Sequence, residues 1–308
     1  MASKATMSGL PKDEAWPALP LPEWSATRDT LHMWMQMVGK LRLALSPRVN
    51  HWWEVPLYVS ARGLTTSAVP YQLGVFEAEF DFIGNVLRFT TSRGETKTIP
   101  LAPRSVADFY EEFKATLTSL GIEAKIWPMP VEIPEPIRFD QDTIHASYDS
   151  AYANRFWRIL TTVDAICKEF RARFIGKASP VHFFWGSGDL AATRFSGRPA
   201  PERPGADAMT REAYSHEVSS VGWWPGNGGF DAPMFYAYAA PEPPGFREVK
   251  VRPAQAFYEA KIGEFLLPYD AVRNSTDPAG ALMDFFQSTY EAAANLGHWD
   301  RAALEKQP

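Results

Sequence analysis

Apolar residues recur at helical spacing over four stretches of the chain. From Thr27 to Ser46 the positions Leu31, Trp34, Met35, Val38, Leu41 and Leu45 form a stripe closed by Pro47, which predicts an amphipathic helix. A second stripe, Val106, Phe109, Phe113, Leu117 and Leu120, predicts a helix over 105–120 that stops at Gly121. Tyr152–Phe174 (Phe156, Ile159, Val163, Ile166, Phe170) and roughly Pro278–Leu296 are the other two. Between the helices lie short aromatic and β-branched runs separated by turn residues, read as antiparallel hairpins. They are Trp53–Ala61, Phe76–Phe82, Val86–Thr91 and Thr96–Leu101, then Val181–Phe184, His216–Trp224, Met234–Tyr238, Ala256–Ile262 and Glu264–Tyr269.

The order helix, hairpins, helix therefore occurs twice. The closing helices also share residues: at an offset of 176, Asp108, Phe109, Leu120 and Gly121 fall on Asp284, Phe285, Leu296 and Gly297, and Tyr110 falls on Phe286. The expected fold class is α+β, with two pseudo-repeated halves, each an antiparallel sheet flanked by amphipathic helices. The expected segments are an N-terminal lead at 1–26, a first half at 27–126, a Pro-rich linker at 127–150 and a second half at 151–308. An interface between two such halves is a natural place for a pocket. RPAPERPG at 198–205 and PEPPG at 241–245 are too rich in Pro and Gly for regular structure, so the second half carries the longer loops.

Composition narrows the function. With 45% apolar and 14% aromatic residues the chain is globular, and a net charge of −5 supplies no global basic field for a phosphate backbone, so no nucleic-acid partner is expected. No run of about 18 apolar residues occurs, so no membrane span is expected. The start MASKATMSGLPKDEAWPALP lacks the apolar stretch of a secretory signal, which points to a cytoplasmic protein. Cys167, the single cysteine, lies on a helix stripe and is read as a packing residue.

Several familiar signatures fail on their own mechanics. Trp185-Gly186-Ser187-Gly188-Asp189 lacks the outer glycines of a nucleophile elbow. Pro225-Gly226-Asn227-Gly228-Gly229 is not followed by Lys-Ser or Lys-Thr and reads as a turn rather than a phosphate loop. His216-Glu217 has Ser220 where a zincin helix needs its second His.

What remains is a set of polar residues in aromatic sequence. His182, His216, Asp189 and Arg194 are the candidate catalytic groups; His51, Trp52, Trp53, His145, Trp185, Glu217, Trp223 and Trp224 are candidate ligand-binding residues. Imidazoles titrate near neutrality, and the fork of Arg194 suits an anion. In a strand, His216 and Glu217 point to opposite faces, and His216 is favoured to join His182. Two histidines with Asp189 would match a 2-His-1-carboxylate metal site, but the spacing is not diagnostic, so no metal and no cofactor is assigned. Arg28 and Asp29 are read as capping and surface residues of the first helix, His32 lies beside its apolar stripe, and His298 is read as a complement to the last helix end. His145 either lines a cleft between the halves or fixes the linker.

Two functions fit: a small-molecule enzyme or ligand-binding protein with an aromatic pocket, or a non-catalytic scaffold that docks a partner through Trp- and Pro-rich surfaces. On the first reading, replacing His182 or Arg194 by Ala spares folding and abolishes binding.

The segments TRDTLHMWMQMVGKLRLAL at 27–45, NHWWEVPLYVSARGLTTS at 50–67, SPVHFFWGSGDLAATRFSGR at 179–198 and YSHEVSSVGWWPG at 214–226 resemble the bacterial DUF5996 family of unknown function. The resemblance runs from about Trp16 to Leu304 and implies a shared fold, with no established activity, substrate or cofactor. The family's motif segments include His51, Trp52, His145, His182, Trp185, Asp189, Arg194, His216, Glu217 and Trp224. Gly188 departs from the family pattern, which has Phe there, and this implies one aromatic fewer in a turn or pocket wall.

Overall fold

A computed structural model describes residues 11–306 apart from 73, 227 and 228. The central residues of the 225–229 turn and the first ten residues of the lead therefore lie outside the described residues. A short helix α1 (Lys12–Ala15) precedes the long helix α2 (Leu21–Leu45), which starts earlier than its stripe suggests because Pro22 occupies the first turn. Proline is tolerated there, where its missing N–H would have had no helical partner. Helix α2 also differs in kind from the amphipathic helix expected: every residue from Leu31 to Arg42 is buried. A helix hydrophobic on one stripe but enclosed all round needs partners for its polar side chains. Gln36 meets this need by bonding both ways with the backbone of Val131, at 2.8 Å each, latching the linker onto the helix.

The first sheet is antiparallel and contains β1 (Tyr58–Val59), β2 (Gly63–Thr65), β3 (Val69–Tyr71), β4 (Gly74–Asp81), β5 (Val86–Thr91) and β6 (Thr96–Pro100). Its order is β1-β2-β4-β5-β6, with β3 also paired to β4. The run predicted as one strand over 53–61 is mostly irregular, since His51 and Trp52 take left-handed backbone (φ 61° and 60°). Helix α3 (Val106–Ser119) follows, capped by the Ser105 hydroxyl.

The second half repeats the plan with α4 (Ser150–Ala172), β7 (His182–Phe184), β8 (Asp189–Pro199), α5 (Ala208–Ala213), β9 (His216–Trp224), β10 (Met234–Ala240), β11 (Phe257–Glu259), β12 (Glu264–Pro268), α6 (Tyr269–Arg273) and α7 (Pro278–Leu296), then α8 (Arg301–Leu304). Its sheet runs β11-β12-β10-β9-β8-β7, all antiparallel. The fold is thus α+β in two halves of like order. The 198–205 stretch is not wholly irregular, because β8 continues to Pro199 past a bulge.

The halves meet at a bridge: Leu57 and Phe183 exchange two backbone hydrogen bonds of 2.9 Å, bringing the β1 end of one sheet to the β7 edge of the other. One hydrophobic core contains residues of α2, both sheets, α3, α4 and α7. No helix among the described residues is long and apolar enough to cross a membrane.

Candidate functional site

The parity of β8 sorts the predicted residues. Leu190 and Ala192 belong to the main core beneath the second sheet, whereas Ala191 joins Tyr236 and Leu266 in a separate cluster on the outer face. Asp189 and Phe195 share the outer parity, and Arg194 does not. Its guanidinium is 1% exposed, donates to the Phe170 carbonyl and stacks 3.5 Å from the Phe170 ring centre and 4.3 Å from that of Tyr290. Arg194 therefore joins α4 and α7 to the sheet, and its replacement is expected to cost folding stability, where the sequence reading expected it to spare folding.

His182 stands on the outer face, paired with Ala191. Asp189 is then its diagonal neighbour, about 7–8 Å away between Cα atoms. The rings of Trp53, Tyr58 and Phe184 surround the imidazole at 5.5–5.8 Å, all edge-on. His182 is 1% exposed, and its buried Nε2 has no hydrogen-bond partner among the described residues. Burial, then the charges of Arg42 and Arg171, depress its pKa to about 3, so the ring is neutral at physiological pH.

Beyond His182 the face is floored by small residues, Ala191, Gly222 and Ser220, the last bonded to Thr193 at 2.9 Å. At Gly222 a Cβ would collide with the Leu190 carbonyl and the Tyr236 ring, which lies across it. Tyr236 reaches over this floor to donate to one oxygen of Asp189, while Ser187 donates to the other. Burial pushes the Asp189 carboxyl up, against those two bonds. Glu264, on β12, is pushed up to about 7 by burial and by the nearby Asp189. Two carboxyls that resist ionisation thus share this end of the face.

The other end holds His51, His216 and Lys177. His51 Nδ1 bonds the carbonyls of Glu212 (3.0 Å) and Ala213 (3.3 Å), and its Nε2 meets the Lys177 ammonium at 2.6 Å. The His216 ring lies 5.7 Å away, edge-on, so His216 meets His51 rather than the His182 expected from the sequence. Trp53 touches both ends, at 5.2 Å from His51 and 5.7 Å from His182.

The remaining predicted residues take other roles. Trp185 packs on Gly39 and bonds the Val55 carbonyl, and Trp223 is buried against Phe156 and Tyr269 beneath the sheet. Trp52 is covered by Arg48 at 3.6 Å, Trp224 packs on Phe230, and Glu217 pairs with Arg198. His145 bonds Asp142 at 2.7 Å, and its carbonyl accepts from Val106, so it fixes the linker to α3. Arg28 and Asp29 are not capping residues, since they lie inside α2, and His32, beside the stripe, is buried against the carbonyls of Trp185 and Gly186. Among the tryptophans, Trp127 is the exposed one, at 63%.

An open cleft of 570 Å³ does lie between the halves, lined by residues that include Asp13, Ile83, Asn85, Asn154 and Arg155. None of the predicted site residues borders it. Among the described residues no group of three or more His, Cys, Asp or Glu could hold a metal ion. Sequence reasoning missed Lys177, Tyr236 and Glu264, which no motif or spacing connects to the histidines.

No curated protein and no solved structure matches the chain. The model of a family of unknown function, DUF5996, matches residues 16–306, and the chain therefore belongs to that family.

Proposed function

We propose that the outer face of the second sheet binds a small organic ligand and offers it acid–base groups. The reading is carried by the buried, unpartnered Nε2 of His182 inside a ring of aromatic side chains. A buried nitrogen without a bond costs about 1–3 kcal/mol, a cost that a ligand's polar group would remove. The ligand would place a flat or apolar part against Trp53, Tyr58 and Phe184 and a hydrogen-bonding group on His182. Neutral His182 offers Nε2 as a hydrogen-bonding group, and burial raises the pKa of Asp189, the direction that favours a proton donor.

The test is a native mass spectrum compared with the denatured mass. A discrete excess on the wild type, lost in His182→Leu and Asp189→Asn variants that keep their circular dichroism, is expected. An excess that survives both substitutions would place the ligand elsewhere, and a bare wild type that no small hydroxy or amino compound stabilises in a thermal-shift panel would remove the proposal.

A further inference from the structure

We propose that Lys177 is an amine nucleophile which, with His51 as its proton acceptor, forms an imine with a small aromatic aldehyde or ketone on this outer face. The inference rests on the outer-face reading and adds the reacting group and the substrate class.

The geometry begins with His51. Its Nδ1 lies against two backbone carbonyls, which can only accept, so Nδ1 carries the proton and Nε2 presents a lone pair. That lone pair faces the Lys177 ammonium at 2.6 Å. No ion pair to Lys177 occurs among the described residues; the ammonium lies over the rings of Phe195 (4.9 Å) and Trp53 (5.4 Å). Burial against these apolar walls lowers the lysine's pKa and so favours the free amine, while the His51 lone pair is placed to take its proton. The same rings give a flat carbonyl compound a surface to stack on.

The step balances within the cluster. His51 Nε2 takes one proton from the ammonium, and the free amine adds to the carbonyl carbon. A second N–H proton passes to the former carbonyl oxygen, giving a carbinolamine. His51 then returns its proton to that hydroxyl, which leaves as water while the nitrogen lone pair closes the C=N bond. Ammonium and carbonyl thus become iminium and water, with charge conserved and no oxidant or reductant needed.

Lys40 supplies an internal contrast. It too lacks an ion pair among the described residues and sits under Trp127 (5.2 Å) and Trp185 (5.7 Å), but it is 4% exposed and closed to a reagent. Lys177 is open.

The experiment incubates the full chain with benzaldehyde and sodium cyanoborohydride near neutral pH, digests it and maps benzyl adducts by mass spectrometry. Labelling of Lys177 above every other lysine by at least about fivefold is expected, with a similar fall in His51→Gln. Adducts spread over the exposed lysines in the wild type would overturn the proposal without recourse to any variant. Preferential labelling that His51→Gln leaves unchanged would overturn the role of His51. Selective labelling alongside a bare native mass would keep the nucleophile and remove the His182-centred site, whereas a ligand held through His182 with uniform labelling would do the reverse.

Discussion

Each sheet buries an aspartate at the end of a strand, and the two are treated in opposite ways. Asp81, fully buried at the end of β4, receives Arg62 and Arg88 at 2.7 Å and the backbone N–H groups of Ile83 (3.0 Å) and Gly84 (2.8 Å). Burial alone would raise its pKa, but these partners override it and bring the carboxyl down to about 2. Asp189, at the start of β8, has two hydroxyls and, among the described residues, no cation, with Glu264 nearby. The first sheet uses its buried charge to hold the β4–β5 turn. The second keeps carboxyls that are poorly compensated, and such groups cluster at functional sites.

The largest expected effect tests this contrast directly. Asp81→Asn removes a fully buried carboxylate that accepts from two guanidinium groups and two backbone N–H groups and should cost about 3 kcal/mol in urea unfolding, since hydrogen bonds to a charged group are the strong ones. Asp189→Asn keeps acceptors or donors for Ser187 and Tyr236 and should stay within about 1 kcal/mol at pH 7. Equal losses would dissolve the distinction between the two sheets.

A smaller effect separates the halves by pH. The folded pKa of Glu264, about 7, lies above its ordinary value of 4.5, so the folded chain binds more protons than the unfolded one between those values. Its contribution to stability is therefore fully present below pH 4.5 and lost as pH rises through about 7. Asp81 has the other sign: its contribution is present above pH 3.8 and lost as pH falls toward 2. Glu264→Gln should raise stability at pH 8, relative to pH 4, by up to about 3 kcal/mol more than the wild type shows. Parallel pH profiles for the two proteins would mean that Glu264 ionises freely.

These contrasts were only partly legible in the sequence. Helices α3, α4 and α7 were, because each buries one stripe and exposes the rest. The enclosure of α2 was not, since its polar Lys40, Arg42 and His32 find their partners only when the linker, the Glu54 backbone and the β7–β8 turn close over them. Strand β8 escaped notice because Arg194, Gly197, Arg198 and Pro199 interrupt its apolar pattern. That omission misplaced Arg194: five residues separate it from Asp189, an odd number, so in one strand they face opposite ways. His182, Asp189 and His216 drew attention as candidates because aromatic residues stand near them in sequence. Lys177 meets His51 across 126 residues of chain, and only the closed fold joins them.

The smallest effect bears on whether the second sheet gives up stability for its site. His182→Leu removes the partnerless Nε2 and keeps a side chain of similar size against Trp53, Tyr58 and Phe184. Replacing an unsatisfied buried polar group by an apolar one should stabilise the chain by about 1 kcal/mol at pH 7.5 while abolishing ligand binding. The gain should widen as pH falls below 6.5, because a histidine held near pKa 3 binds fewer protons folded than unfolded and loses its contribution through that window. A variant less stable than the wild type at every pH would mean that Nε2 is satisfied by water in solution. His182 would then resemble Asp81, a polar group with its partners in place, and the asymmetry between the sheets would rest on Asp189 and Glu264 alone.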